Sequence, residues 1–449
     1  MKVNDSLFRL KYLCFRPSVF TLLRHLQASQ YWSIDEFENL RRKKQEETVL
    51  HAFNNSSFYK KLYRGVGFSP EDMRQEGWFE RLPIVKKEHV RDSFDEICVQ
   101  SNIRHLVVSS TGGSTGVPVR FGYDSRVPFE AYGWRMLGWW GISPADDGGY
   151  VWRNPRTSRW SIALNRALWW PTRKIKLDAS SMSEESLYSF INLWNRVRPP
   201  QLQGYVGAVA ELALFIESHH VDFVPPRVVW VTSAPLLPPQ RVLMERVFQS
   251  PVYDQYGCCE VSHIAAQCEC GGDLHVNVER VHVEFVGDKN RPAPVEQWGR
   301  TLLTKYDDPV FPLIRYEVGD TGRWLDKTCP CGRTLPIIDR VKGRTTDMIR
   351  LPSGRILSGE YLTTIFDAYP DAIRSFRVIQ RKDASLMIEY IPLSDKLIEP
   401  VIEIVKKTLR EKVCQEVPIL FAKVDCIQHD RGKLKFVIRE TYPLPTLDL

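Results

Sequence analysis

Ser109–Pro118 reads SSTGGSTGVP and follows the short apolar run from His105 to Val108. Gly112, Gly113 and Gly116 allow a backbone to pass close to a polyphosphate, while backbone N–H groups and the hydroxyls of Ser114 and Thr115 can donate to its oxygens. The stretch is a phosphate-loop candidate of its own kind. No lysine stands where a G-x-x-x-x-G-K-[ST] loop requires one. A structural Gly/Ser turn accounts for the same residues taken alone, so the reading rests on what the rest of the chain supplies.

Four further segments follow in order. YDQYGCCE, Tyr253–Glu260, puts Glu260 four residues beyond Tyr256 and three beyond Gly257, just after an expected strand. A carboxylate there can hold Mg²⁺ against a triphosphate, since that hard cation takes oxygen ligands shared with substrate phosphates. Tyr256 can stack on a base or donate its hydroxyl to a phosphate. A surface glutamate beside a core tyrosine is the plainer alternative. RYEVGDTG, Arg315–Gly322, sets Asp320 in a glycine-flanked turn, where a carboxylate suits the paired hydroxyls of a ribose and equally an ordinary Asx turn. DRVKGRTTDMI and DRGKLKFVI carry Arg344 and Lys433, the first a planar fork for phosphate or ribose and the second a mobile point charge.

Helical periodicity runs from Ser33 to about Tyr63, with Ser33 and Glu36 spaced as a capping box, and residues 1 to 100 read as mainly helical. Leu82–Phe94 holds a turn and another short helix. VVWVTS (Val228–Ser233) and PVYDQYG (Pro251–Gly257) read as buried strands separated by a helix containing Arg241–Phe248, the spacing of an α/β sheet. Val281–Val286 and Thr301–Thr304 read as antiparallel strands. Beyond GRTTDMI the chain predicts strands at Phe376–Gln380 and Leu386–Ile391, a helix at Ile398–Val413 and a third strand at Ala422–Ile427. The fold expected is α/β: a large N-terminal domain over 1–345 with mixed sheets and an antiparallel β subdomain, then a small α+β domain over 346–449. Eight of the thirteen tryptophans lie between Trp134 and Trp194, either as core or as the wall of an acyl pocket.

The 449 residues, with 43% apolar content and a formal net charge of +7, exclude a nucleic-acid reader defined by dense basic blocks. No run of about 18 apolar residues spans a membrane, so a soluble cytoplasmic protein is expected. The ten cysteines do not form a secreted framework. Cys268 and Cys270 precede His275 in CECGGDLH, and Cys329 and Cys331 lie in CPCGR. Sulfur and imidazole are the ligands that structural zinc favours, with Cys268 and Cys270 competing for one position; reduced thiols without metal are the alternative. His263 reads either as a substrate-pocket residue or as a satisfied polar side chain.

The order and spacing of these segments resemble the adenylate-forming (ANL) superfamily, in particular its phenylacetate-CoA ligase branch and the CapK-type proteins often assigned to capsular polysaccharide biosynthesis. The resemblance covers nearly the whole chain. It implies a two-domain enzyme that takes ATP and Mg²⁺, with the C-terminal domain as a lid. Gly112, Gly113, Ser114, Thr115 and Gly116 would hold the pyrophosphate portion. Ser233, Ala234, Pro235, Tyr256 and Gly257 would border the adenosine, and Glu260 would meet Mg²⁺. Asp320 would bind the ribose, Arg344 would support ribose or phosphate, and Lys433 would bridge the carboxylate and the α-phosphate. Members of the branch resemble the cysteine pattern too and can carry zinc there. The implied reaction makes an acyl-AMP from a small-molecule carboxylate and passes the acyl group to a thiol, coenzyme A first. Transfer to an amine or hydroxyl such as a sugar, direct adenylyl transfer, and a non-catalytic protein of the same fold are the alternatives. Val117, Thr346 and the pair Cys258–Cys259 depart from the family pattern, and they bear on lid rotation and on the acceptor. Neither the acid nor the oligomeric state is legible.

Overall fold

A computed structural model describes residues 3–110, 119–152, 169–179, 182–236, 238–341, 348–352, 356–358, 369, 372–393, 398–413, 416–427 and 437–440. The chain forms two compact units. One comprises Met1–Asp146, Trp170–Thr172 and Tyr253–Val341, and the other Asp147–Trp169, Arg173–Val252 and Lys342–Leu449. Strands are numbered along the chain.

The first unit starts with helices α1 (Val3–Phe15), α2 (Pro17–Ser29) and α3 (Ile34–Asn55). The capping box at the start of α3 is present: Ser33 Oγ accepts from Glu36 N at 3.3 Å, and Glu36 Oε2 accepts from Ser33 N at 2.7 Å. Two orphan donors of the first turn are thereby satisfied. A two-stranded antiparallel ribbon, β1 (Leu106–Ser110) with β2 (Arg120–Asp124), flanks the segment expected to bind phosphate. Residues 111–118 themselves lie outside the described residues.

A three-stranded antiparallel sheet follows in the order β10 (Val281–Val286), β11 (Gly299–Lys305), β12 (Tyr316–Gly322). It shares one core with the helical region through Tyr59, Phe79, Val85, Phe121, Phe311 and Tyr316. The Tyr59 hydroxyl accepts from Ile314 N at 3.0 Å and donates to Pro312 O at 3.2 Å, which fixes the chain as it enters β12. The remaining strands of this unit pair antiparallel in the order β13 (Trp324–Leu325), β14 (Ile337–Ile338), β9 (Gly271–Val276), β8 (Ala265–Cys268), β7 (Val252–Tyr256). Val252 of β7 still belongs to the second unit.

In the second unit β6 (Val228–Thr232), β5 (Gln201–Tyr205), β3 (Gly148–Trp152) and β4 (Lys174–Asp178) are parallel neighbours. All five residues of β6 are buried, which is the pattern of a parallel strand covered on both faces. Helices Glu184–Val197, Val206–Ser218 and Pro238–Phe248 supply the cover, with Trp194 fully buried. A Cβ on Gly149 would stand 2.1 Å from the Trp194 ring, so only glycine permits that packing. Most of the described tryptophans between 134 and 194 are likewise packed: Trp139, Trp140 and Trp194 are core, and Trp152 lies against Tyr205.

The C-terminal part of this unit holds β15 (Met348–Arg350) paired with β16 (Ile356–Ser358), and a mixed sheet ordered β19 (Ile419–Lys423), β18 (Leu386–Pro392), β17 (Ile373–Gln380), β20 (Val437–Arg439). β17 and β18 are antiparallel; the outer pairings are parallel. The Ile398–Lys412 helix contributes Ile402, Val405 and Leu409 to a core with Phe376, Val378 and Ile388. The third strand runs Ile419–Lys423 instead of Ala422–Ile427. Its ladder is bounded by Leu386 N bonding Pro418 O at 2.9 Å and Val424 N bonding Tyr390 O at 3.0 Å. Its side chains are only partly covered, so hydrophobicity marks its limits weakly. Residues 342–347, around the expected domain boundary, lie outside the described residues.

Candidate functional site

Two of the sequence segments meet in the first unit. β7 ends at Tyr256, and the chain then turns sharply: Cys258 N donates to Val261 O at 3.0 Å, Val261 N donates to Cys258 Sγ at 3.3 Å, and Ile264 N returns to Tyr256 O at 3.0 Å. A Cβ on Gly257 would lie 3.0 Å from His263 N, a tight approach that glycine avoids. The turn carries Glu260 inward, where only 7% of its surface is exposed. Tyr316 and Asp320 stand four residues apart on β12, the same spacing as Tyr256 and Glu260. The pairs cross. Tyr256 donates its hydroxyl to Asp320 Oδ2 at 2.9 Å, and Tyr316 donates to Glu260 Oε1 at 3.0 Å.

Burial, then the Asp320 carboxylate, pushes the Tyr256 hydroxyl well above the usual phenol range, so it remains a donor. Each carboxylate thus accepts from a tyrosine hydroxyl. A carboxylate has about four acceptor sites, so one such bond does not exhaust it. The arrangement can present oxygens to a hard cation through Glu260 and to hydroxyls through Asp320.

Surrounding charges hold both segments. Arg315, 1% exposed and with φ of 48°, donates to Glu284 Oε1 at 3.1 Å and through Nη1 to Glu80 O and Leu82 O at 2.5 Å. Breaking such a buried pair typically costs about 3–5 kcal/mol. On the other side, Arg135 pairs with Glu279 at 2.7 Å and also bonds Asn277, whose Nδ2 donates to His263 O at 2.6 Å. Arg280 Nε donates to Ser262 O at 2.8 Å. These cations anchor the loop after Glu260. His263 is left-handed, with φ of 57°, and its imidazole lies beside Gly133. Burial, then Arg280, depresses its pKa to about 3.

Of the other expected nucleotide residues, Ser233, Ala234 and Pro235 lie in the second unit just after β6, partly exposed, with Ser233 at φ of 78°. Gly112, Gly113, Ser114, Thr115, Gly116, Arg344 and Lys433 lie outside the described residues. Tyr316 is the residue that the sequence reading missed. Its signal was a second tyrosine–x₃–carboxylate spacing, visible only once the first is taken as a unit.

A separate cluster gathers sulfur. Cys268 closes β8, Gly271 and Gly272 turn the hairpin at positive φ, and His275 lies on β9. Cys329 and Cys331 come from the loop before β14, where Gly332 N bonds Cys329 O. The ligand atoms of Cys268, His275, Cys329 and Cys331 all lie within 4.8 Å of one another. Cys268 Sγ is 3.5 Å from Cys329 Sγ, and Cys331 Sγ is 3.5 Å from His275 Nε2. Tetrahedral zinc, at about 2.3 Å from sulfur and 2.0–2.1 Å from nitrogen, needs donors about 3.5–3.8 Å apart. With its proton on Nδ1, His275 faces Leu335 O at 3.4 Å and turns Nε2 to the sulfurs. The donor set fits zinc. Cys270 is exposed and stands outside the group.

Comparison with known proteins gives the class first. The chain is similar to the crystal structure of 2-hydroxyisobutyryl-CoA ligase in the postadenylation state with 2-HIB-AMP, with a TM-score of 0.74 at 19% identity over 92% of this chain and 93% of that one. It is also similar to an amide bond synthetase, McbA from Marinactinospora thermotolerans, with a TM-score of 0.53 at 15% identity over 74% and 68% of the two chains. The fold is that of the adenylate-forming ligases. Within that class, residues 349–440 match the CapK C-terminal domain. The chain is 22% identical to Protein CapK of Staphylococcus aureus over 374 residues, 80% of this chain and 79% of that protein. Identity to phenylacetate-coenzyme A ligase of Escherichia coli (strain K12) is 23% over 338 residues, 71% and 73% of the two.

Proposed function

We propose that this chain activates a carboxylic acid with ATP and transfers the acyl group to a thiol, coenzyme A first. The observation that carries the reading is the crossed pairing of Tyr256 with Asp320 and Tyr316 with Glu260, which joins two distant segments into one set of oxygens. In the first half-reaction a carboxylate oxygen attacks the α-phosphorus, and the bond to the pyrophosphate oxygen breaks. In the second, the thiolate attacks the acyl carbon and AMP leaves.

Attacking carboxylate and phosphate are both anionic, so a cation must bring them together; Lys433 is assigned that role. Gly112–Gly116 cradle the phosphates, Asp320 takes the ribose hydroxyls, and Arg344 braces ribose or phosphate. Ser233–Pro235 border the adenosine. Mg²⁺, held by Glu260, would offset charge on the triphosphate oxygens. Residues 346–449 act as the lid that delivers Lys433, with residues 1–345 as the body. Zinc at Cys268, His275, Cys329 and Cys331 would be structural.

A second reading, transfer to an amine or hydroxyl, is supported by the fold's likeness to an amide bond synthetase. ATP–pyrophosphate exchange over a library of aryl, acyl and sugar acids tests the first step, and acceptors are then offered to the best acid. Exchange with at least one acid, followed by AMP release on adding coenzyme A, is expected. AMP release only with amines or sugars would favour the second reading. ATP binding without exchange for any acid would sink both.

A further inference from the structure

Helix α1 is apolar on two faces. Its inner face packs Phe8 and Tyr12 on Trp134, with ring centroids 5.5 and 4.8 Å apart. Its outer face carries Leu10, 60% exposed, and Leu13, 54% exposed, with exposed Cys14 beside them. At about 100° per residue, Leu10, Leu13 and Cys14 share an arc of roughly a hundred degrees, and Arg9 and Lys11 stand about 100° to either side of Leu10. Arg9 remains well exposed while bonding Asp5. Lys11 Nζ donates to Trp170 O at 2.8 Å, which sets Trp170, itself 57% exposed, alongside the helix.

An apolar stripe bordered by cations on both edges, with an exposed tryptophan next to it, is the composition of a helix lying in a lipid interface. The leucines enter the acyl boundary, the long basic side chains reach to phosphate level, and an indole favours that same depth. A second copy of this face fits less well. Two copies placed face to face would set Arg9 and Lys11 against their own kind, and apposed like charges oppose association. An anionic surface meets both flanks favourably. Among the described residues no helix is long and apolar enough to cross a membrane.

We propose that the outer face of α1, with Trp170, docks this protein on an anionic phospholipid bilayer. This inference is independent of the reaction proposed above. The full chain is sedimented with vesicles of phosphatidylcholine alone or mixed with phosphatidylglycerol. Binding is expected to the mixed vesicles and to weaken as salt is raised. Leu10→Glu with Leu13→Glu should lower partitioning at least ~10-fold, and Arg9→Gln with Lys11→Gln roughly 10-fold. Leu10→Ser with Leu13→Ser separates lost apolar contact from added negative charge. All four residues stand outside the proposed reaction site, so unchanged circular dichroism and pyrophosphate exchange report an intact fold. No binding to mixed vesicles, or equal binding by the leucine variants, overturns the proposal. So does a concentration-dependent dimer that the leucine variants dissolve while vesicles leave the protein in solution.

Discussion

The sulfur cluster and the tyrosine–carboxylate pairs lie in the same unit and join comparably distant segments, yet they are closed in different ways. Cys268, His275, Cys329 and Cys331 turn their ligand atoms on one another, and a soft cation is the partner such a set calls for. Glu260 and Asp320 each accept from a tyrosine hydroxyl, which orients an oxygen without exhausting the acceptor capacity of the carboxylate. The first arrangement suits a resident ion that holds two loops together. The second suits a ligand that arrives and leaves, and on our reading it is completed by residues from elsewhere in the chain.

The contrast breaks most visibly at Lys433. Lys433→Ala should slow adenylate formation by ~10²-fold or more while ATP binding stays near normal, because the charge matters when the two anions meet. Lys435→Ala should be nearly silent. Equilibrium ATP binding and pyrophosphate exchange, measured on both variants, decide; normal exchange in Lys433→Ala would move this lysine to the surface.

The cluster should behave oppositely. Purified protein is expected to hold about one zinc per chain, and Cys268→Ser should lose it with a fall in thermal midpoint, whereas Cys270→Ser should keep it. An ion present at a thousandfold excess over its Kd stabilises by about 4 kcal/mol, so the effect is one on folding. Elemental analysis finding no zinc in protein prepared without chelators, or zinc loss in Cys270→Ser instead, would undo the assignment.

How far the sequence reaches differs between the two regions for physical reasons. The cysteine motifs declare their chemistry by residue type, and only the choice between Cys268 and Cys270 needed the hairpin, whose glycine turn leaves Cys270 in solvent. Glu260, Asp320 and Tyr256 were legible as candidates because glycines and strand ends flank them. Their mutual bonding was not, since it depends on β12 lying beside the end of β7. Tyr316 escaped notice because a tyrosine inside a strand reads as core, which it also is. Among the elements, fully buried β6 was legible from its apolar run, while the partly covered β19 starts three residues and ends four residues earlier than expected.

A smaller effect should follow at the expected hinge. Thr346→Pro fixes φ at that position and biases Thr345 away from the helical region. If residues 346–449 reorient between the two half-reactions, the substitution should impair one much more than the other. Pyrophosphate exchange reports adenylation, and thioester formation from supplied acyl-AMP reports transfer. Both rates matching the parent would put the pivot elsewhere or require a single arrangement for both steps.

The smallest effects should separate the two tyrosines. Tyr256→Phe removes the donor to Asp320 and leaves a phenyl ring of nearly the same shape, so the fold should tolerate it. A hydrogen bond to a charged group contributes about 1.5–3 kcal/mol. Much of that bond serves orientation, so the apparent KM for ATP should rise by roughly tenfold, with turnover at saturating ATP little changed. Tyr316→Phe acts on Glu260 instead. Because Tyr316 is buried in the core, that variant needs a thermal midpoint beside its kinetics. Its expected signature is a raised requirement for Mg²⁺ at fixed ATP, of similar size, with ATP affinity measured without metal unaltered. If both variants shifted ATP and Mg²⁺ dependence alike, the crossed pairs would act as one structural brace, and the division of labour between Asp320 and Glu260 would fall.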